Sequence, residues 1–157
     1  MSLQSVRDFL AEHAPDIEIL VLDQSTATVA EAAAGHGVPP DQIAKTLSLR
    51  VADRVILVAV SGLSRLDNKK AKAAFGGKVK MLDFAEVEAI TGHPVGGVCL
   101  FGVNPGLELY CDASLKPYDE VIPAAGATNS AVRIAPDRMA EITGAKWIDV
   151  CEQRATA

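Results

Sequence analysis

Ala44-Lys45-Thr46-Leu47-Ser48-Leu49-Arg50-Val51, the break Ala52-Asp53, and Arg54-Val55-Ile56-Leu57-Val58-Ala59-Val60 decide how this chain is read. The first run alternates strictly. Thr46, Ser48 and Arg50 point one way; Lys45, Leu47, Leu49 and Val51 point the other. The two-residue break predicts a hairpin with strands over 45–51 and 54–60. The second strand is apolar after Arg54, as a central strand buried on both faces should be. Lys45 therefore lies on the apolar face at the mouth of its strand. A cation there must reach water, a partner or a ligand. Further on, Thr91-Gly92-His93-Pro94-Val95-Gly96-Gly97-Val98 offers bare backbone N–H groups in place of a side-chain nucleophile. An amine on a core-facing wall and such a loop together suggest a site for a small anion or an ester.

Outward from the hairpin, start and stop signals place the other elements. Ser2 caps a helix to about Ala14, ended by Pro15, with Val6, Phe9 and Leu10 on one stripe. A short strand is expected over 17–22 and a helix over 27–36, closed by Gly35 and Gly37. Pro39-Pro40-Asp41 opens a helical turn that delivers the chain to Lys45. Asp67 caps a helix to Phe75, and Asp83 caps another to Ile90 or Thr91. Short strands are expected over 79–82, 98–101, 107–112, 120–122, 131–134 and 146–150. Pro136 opens a last helix to Thr143, and 154–157 reads as a frayed tail. Strand runs with irregularly spaced helices predict one mixed sheet in an α+β domain, not regular βαβ winding.

The 157 residues fit one domain spanning 1–157, with a core of Val, Leu, Ile and Ala, since aromatics are only 4%. No apolar run approaches the roughly 20 residues that span a bilayer. The N-terminus lacks a signal-peptide apolar segment. Three widely spaced cysteines (Cys99, Cys111, Cys151) fit reduced thiols in a cytoplasm better than a disulfide framework. No Cys-x-x-Cys or histidine pair suggests a metal, and nothing in the motifs asks for a cofactor. A net charge of −5 argues against general nucleic-acid coating and sequence-specific DNA binding. Yet six basic residues (Arg65, Lys69, Lys70, Lys72, Lys78, Lys80) face a single acid, Asp67, between 65 and 80. Such a window is either a solvated helix face or a local phosphate-contacting patch.

Other residues bear on chemistry. His93 has the near-neutral pKa of a general base, but a lone histidine in a glycine loop is more often a wall. Cys99 and Cys111 read as core thiols. Thr28-x-x-Glu31 has the spacing of a capping box. Ser61 and Ser130 stand in turns after strands, where polar side chains line pockets or serve the turn. Asp112 ends an apolar strand and is a candidate to orient Lys45. The glycine loop is no phosphate loop, because Gly-x-x-x-x-Gly-Lys-Ser/Thr is absent and a strand, not a helix, is expected after it.

In order and spacing, Thr28-Val29-Ala30-Glu31-Ala32-Ala33, Ile43-Ala44-Lys45-Thr46-Leu47, Leu66-Asp67-Asn68-Lys69-Lys70, the glycine loop 91–98 and 137–145 resemble the YbaK/prolyl-tRNA synthetase-associated editing domain family. The resemblance covers about 27–150. It implies a compact α+β fold with a mixed, mostly antiparallel, barrel-like sheet surrounded by helices. It implies an aminoacyl-tRNA deacylase that hydrolyses the ester of mischarged tRNA, mostly tRNA for proline, using substrate hydroxyls and ordered water. The family's key lysine maps onto Lys45, and its glycine loop onto Gly92, Gly96 and Gly97. Thr28, Ser61, His93, Pro94, Val95, Asp112 and Ser130 are the candidate substrate contacts. Lys69, Lys70 and Lys72 are the candidate contacts to tRNA phosphates. Many members carry a proline shortly after Gly-Gly-Val, where this chain has Cys99-Leu100-Phe101.

A synthetase catalytic domain does not fit in 157 residues, so editing would act in trans, with prolyl-tRNA synthetase as the candidate protein partner. Alanine, cysteine or another small residue is the expected cargo. The alternative is a non-catalytic module that binds tRNA or a synthetase.

Overall fold

The computed structural model describes residues 2–153. Along them run α1 (Ser2–His13), β1 (Leu20–Val21), α2 (Val29–His36), β2 (Ile43–Val51), β3 (Arg54–Ser61), α3 (Asn68–Phe75), β4 (Lys80–Met81), α4 (Phe84–Thr91), β5 (Glu108–Asp112), β6 (Ile122–Pro123), β7 (Ser130–Ala131), α5 (Pro136–Thr143) and β8 (Lys146–Ile148). The hairpin forms about Ala52-Asp53, pairing Val51 with Arg54 and running back to Ala44 opposite Ser61. Ala52 takes φ 55°, the left-handed value that a two-residue hairpin turn requires of its first position. Helix ends follow their caps. Thr28 accepts from the N–H of Glu31 at 3.1 Å while Glu31 accepts from the N–H of Thr28, a complete capping box. Asp67 accepts from the N–H groups of Lys69 and Lys70. Asp83 holds the cap position of α4 without a side-chain cap bond.

Six strands form one sheet in the order β4-β2-β3-β5-β8, with β6 also on β2. β2 runs antiparallel to β3 and β4, whereas β2–β6, β3–β5 and β5–β8 are parallel. β1 and β7 make a separate antiparallel pair. The sheet is open, ending at β4 and β8, so its likeness to a barrel is loose. One face carries Leu57, Ala59 and Cys111 against Val6 and Leu10 of α1 and Met139 and Ala140 of α5. The other carries Leu49, Val51, Ile56, Val58 and Val60 against Ala71 and Phe75 of α3 and against Val150 and Cys151. A third, smaller cluster joins α2 to Ile43, Ile122 and Ala131. No helix among the described residues is long and apolar enough to cross a membrane.

The expected strand over 98–101 does not form. Cys99, Leu100 and Phe101 are all buried, which the period-2 alternation of a strand on one core forbids. They plug the first core as an irregular segment. Between 120 and 134 the ladder shrinks to two-residue pieces and single bridges, Val121 with Ile134 and Ala124 with Ala131. Pro123, which has no N–H to give, sits at the end of its strand. The tail expected over 154–157 lies outside the described residues.

Candidate active site

The outer edge of β2 is covered twice and left open between. β6 pairs with Ile43 and Ala44, and β4 with Leu49 and Arg50. Among the described residues, that edge has no strand partner from 45 to 48, and Leu82 reaches it, donating its N–H to the Ser48 carbonyl at 3.0 Å. Thr46 lies two residues from Ser48 and turns its own N–H and C=O to the same edge.

A cavity of about 200 Å³ occupies this gap. Its floor is β2 from Ile43 to Ser48. Ala27, Thr28, Val29 and Ala32 at the start of α2 form one wall, and Leu82, Phe84 and Val87 another. Val95, Gly96 and Val98 of the glycine loop close it on a third side, and Ile122, Ala124, Ser130 and Ala131 on the last. The lining is mainly aliphatic, with hydroxyls from Thr26, Thr28, Thr46, Ser48 and Ser130, and with Lys45.

Lys45 pairs across the hairpin with Val60, so its side chain leaves the strand on the face of the second core. Thr46 and Ser48 leave on the opposite face, which is the cavity floor. Lys45 thus borders the cavity from its strand end. Burial lowers its pKa from the ordinary 10.5. The neighbouring Cys151 opposes that shift, Arg65 adds to it and Asp41 opposes it.

Of the loop glycines, Gly96 alone faces the cavity. The Gly97 N–H donates to the Pro94 carbonyl at 2.9 Å, closing a turn with Gly96 at φ 87° in its third position, where a type II turn demands positive φ. The Gly92 N–H caps α4 by donating to Glu88. Two of the three N–H groups expected to be bare are therefore engaged, and among the described residues the Gly96 N–H has no protein acceptor. Space fixes these residues too. A Cβ on Gly96 would stand 2.7 Å from that of Ala27, and one on Gly97 would stand 2.9 Å from the Ala127 nitrogen.

Other candidates take structural positions away from the cavity. His93 is fully buried; its Nε2–H donates to the Phe101 carbonyl at 2.7 Å and its Nδ1 accepts from the Ser2 hydroxyl. Desolvation lowers its pKa from 6.5, partly opposed by the Phe101 carbonyl. Pro94 contributes the carbonyl of the turn. The Ser61 hydroxyl donates to the Asp41 carbonyl at 2.7 Å, holding the turn that precedes Lys45. Asp112, 1% exposed, accepts from the N–H of Ser114 at 2.9 Å and of Val150 at 2.8 Å; these bonds tie β5 to the chain beyond β8. Burial pushes the Cys99, Cys111 and Cys151 thiols up to about 12, so none is a ready thiolate. Within the cavity, the Thr28 hydroxyl serves its helix cap and the Ser130 hydroxyl accepts from the Ala127 N–H. On α3, Lys69 and Lys72 are exposed, whereas Lys70 pairs with Asp149 at 3.1 Å and donates to the Cys151 carbonyl. Among the described residues, no cluster of three or more His, Cys, Asp and Glu side chains could hold a metal.

Thr46 and Ser48 were visible in the sequence as the polar face of the hairpin, yet that face reads as a solvent face. Ser48 is 6% exposed. What marks it as a site is the missing strand beside it, and pairing over so long a separation leaves no local signal. Phe84 was hidden in the first turn of a predicted helix.

Residues 23–142 match the family described as the aminoacyl-tRNA editing domain. The chain is 43% identical over 154 residues to YwhH of Bacillus subtilis (strain 168), an uncharacterized protein, covering 97% of this chain and 98% of the relative. It is 29% identical over 117 residues to EbsC of Enterococcus faecalis (strain ATCC 700802 / V583), named as a candidate Cys-tRNA(Pro)/Cys-tRNA(Cys) deacylase, covering 73% of this chain and 71% of that one. A crystal structure of a candidate trans-editing enzyme for prolyl tRNA synthetase superposes with a TM-score of 0.89 at 33% identity, covering 97% of this chain and 98% of the other.

Proposed function

The chain belongs to the aminoacyl-tRNA editing domain family, and from that premise we propose that it is a trans-acting deacylase for tRNA carrying a wrongly attached small amino acid. The carrying observation is the mainly aliphatic cavity at the open edge of β2. Its 200 Å³ gives room for a small aminoacyl group such as alanyl or cysteinyl. The kinship with EbsC and with the trans-editing enzyme supports tRNA for proline as the carrier, with its synthetase as partner and the cytoplasm as compartment.

In this reading the amino acid lies over Thr46 and Ser48 and its ester carbonyl faces Gly96. Water adds to the carbonyl carbon, and the Gly96 N–H donates to the oxygen that becomes negative. The bond from carbon to the ribose oxygen then breaks, that oxygen takes the proton, and the amino acid leaves as a free acid. Lys45 acts as an ammonium at the cavity's end, holding the terminal phosphate or the ester carbonyl. Water, held by the ribose hydroxyl next to the ester, replaces a side-chain base, in keeping with His93 being sealed in the core.

Prolyl-tRNA acceptors charged separately with Ala, Cys, Ser and Pro test this. Release is expected from one of the small non-cognate esters and not from Pro. A folded Lys45→Ala variant is expected to lose about a hundredfold in rate, as when a transition-state donor is removed. Binding of tRNA with no release from any ester would replace the enzyme by a binding module.

A further inference from the structure

Three large apolar side chains at the cavity mouth are exposed: Phe84 at 79%, Met81 at 53% and Val95 at 44%. Phe84 is the first residue of α4 and belongs to none of the three core clusters. We propose that Phe84, flanked by Met81 and Val95, is the platform on which the terminal adenine of the acceptor strand stacks. The inference rests on the aminoacyl reading of the cavity. With the amino acid inside and the ribose ester at the mouth, the base is the next group outward and must lie on this rim. An exposed ring beside a thioether suits the face of a base, and stacking needs no hydrogen-bond readout. The charges around the rim are mixed, with the exposed Asp83 next to Phe84. Lys80 adjoins Met81 and is exposed, ready for the phosphate that follows the nucleoside. Glu86, two residues beyond Phe84, has its carboxylate held by Arg50 at 2.8 Å.

The test uses an RNA oligonucleotide ending in CCA whose last base is 2-aminopurine, a fluorophore quenched by stacking. Wild type is expected to quench it, Phe84→Ala to bind it about tenfold more weakly without quenching, and Phe84→Trp to restore both. In parallel, Phe84→Ala is expected to raise KM for an aminoacyl-adenosine about tenfold with kcat kept, and to raise KM for the amino acid's ethyl ester by much less. Quenching by wild type that persists in Phe84→Ala, no quenching by wild type at saturation, or an equal loss on both esters would overturn the platform. Quenching that depends on Phe84 in a protein that releases no amino acid would uphold the platform and sink the deacylase reading.

Discussion

Gly96 carries φ 87° and has the Ala27 methyl where its own side chain would stand. Gly106, at φ 89°, has open space there, so the two separate backbone strain from site geometry. Alanine at Gly106 is expected to cost about 1–3 kcal/mol for a left-handed non-glycine residue, and at Gly96 more, because the Ala27 methyl must also shift, read from urea denaturation. Gly96→Ala should in addition abolish most deacylation at temperatures where it remains folded, and Gly106→Ala should not. Full activity in Gly96→Ala would remove this wall from the chemistry. Lys45 stood out in the sequence because its type contradicts the pattern around it. Thr46 and Ser48 agree with their pattern, and so nothing marked them.

Between residue and fold, α1 and the glycine loop act as one piece. Ser2 bonds His93, and His93 bonds Phe101, so the ring ties the start of α1 to the loop and to the segment that plugs the core. The pKa of this imidazole lies below 6.5 in the folded chain because burial disfavours its charge. On acidification below 6.5 the unfolded chain takes up a proton that the folded chain refuses, so stability falls, by up to about 1.4 kcal/mol per pH unit, until the folded pKa is reached. His36, lowered chiefly by burial and next by Arg133, adds a contribution of the same sign. Urea midpoints at pH 7.5, 6.5 and 5.5 should therefore decline in wild type. In His93→Gln the decline should be shallower, from a lower starting stability; an unchanged slope would rule this ring out as its source. Local signals made such elements readable. The hairpin turn, the Thr28–Glu31 box, the Asp67 cap and the Pro136 start each lie within a few residues. The segments at 98–101 and 120–134 take their shape from partners far along the chain, such as His93 for the Phe101 carbonyl and Ile43 for Ile122, so their strands were misplaced or overdrawn.

Across the whole molecule, charge and connectivity matter most. The protein is acidic overall, at −5, yet Arg65, Lys69, Lys72, Lys78 and Lys80 are exposed within one short window. If these residues meet acceptor-stem phosphates, affinity for tRNA should fall linearly on a log–log plot against salt, each contact adding roughly 0.7–0.9 to the slope. The double variant Lys69→Ala/Lys72→Ala should flatten that slope by about 1.5 while kcat at saturation stays put. An unaltered slope would make the window a solvated face. Lys70, engaged by Asp149, was not separable from its neighbours by sequence alone. The open edge of β2 also sets an order of events. β2 and β3 are joined by two residues and close with little loss of chain entropy, whereas β6 reaches Ile43 from Ile122, and the loop walls arrive from both sides in sequence. The floor with Thr46 and Ser48 therefore assembles early with nothing opposite it. The walled cavity exists only when the last distant closure is made, so whatever the cavity binds is the final property the chain acquires as it folds and the first it forfeits when it begins to open.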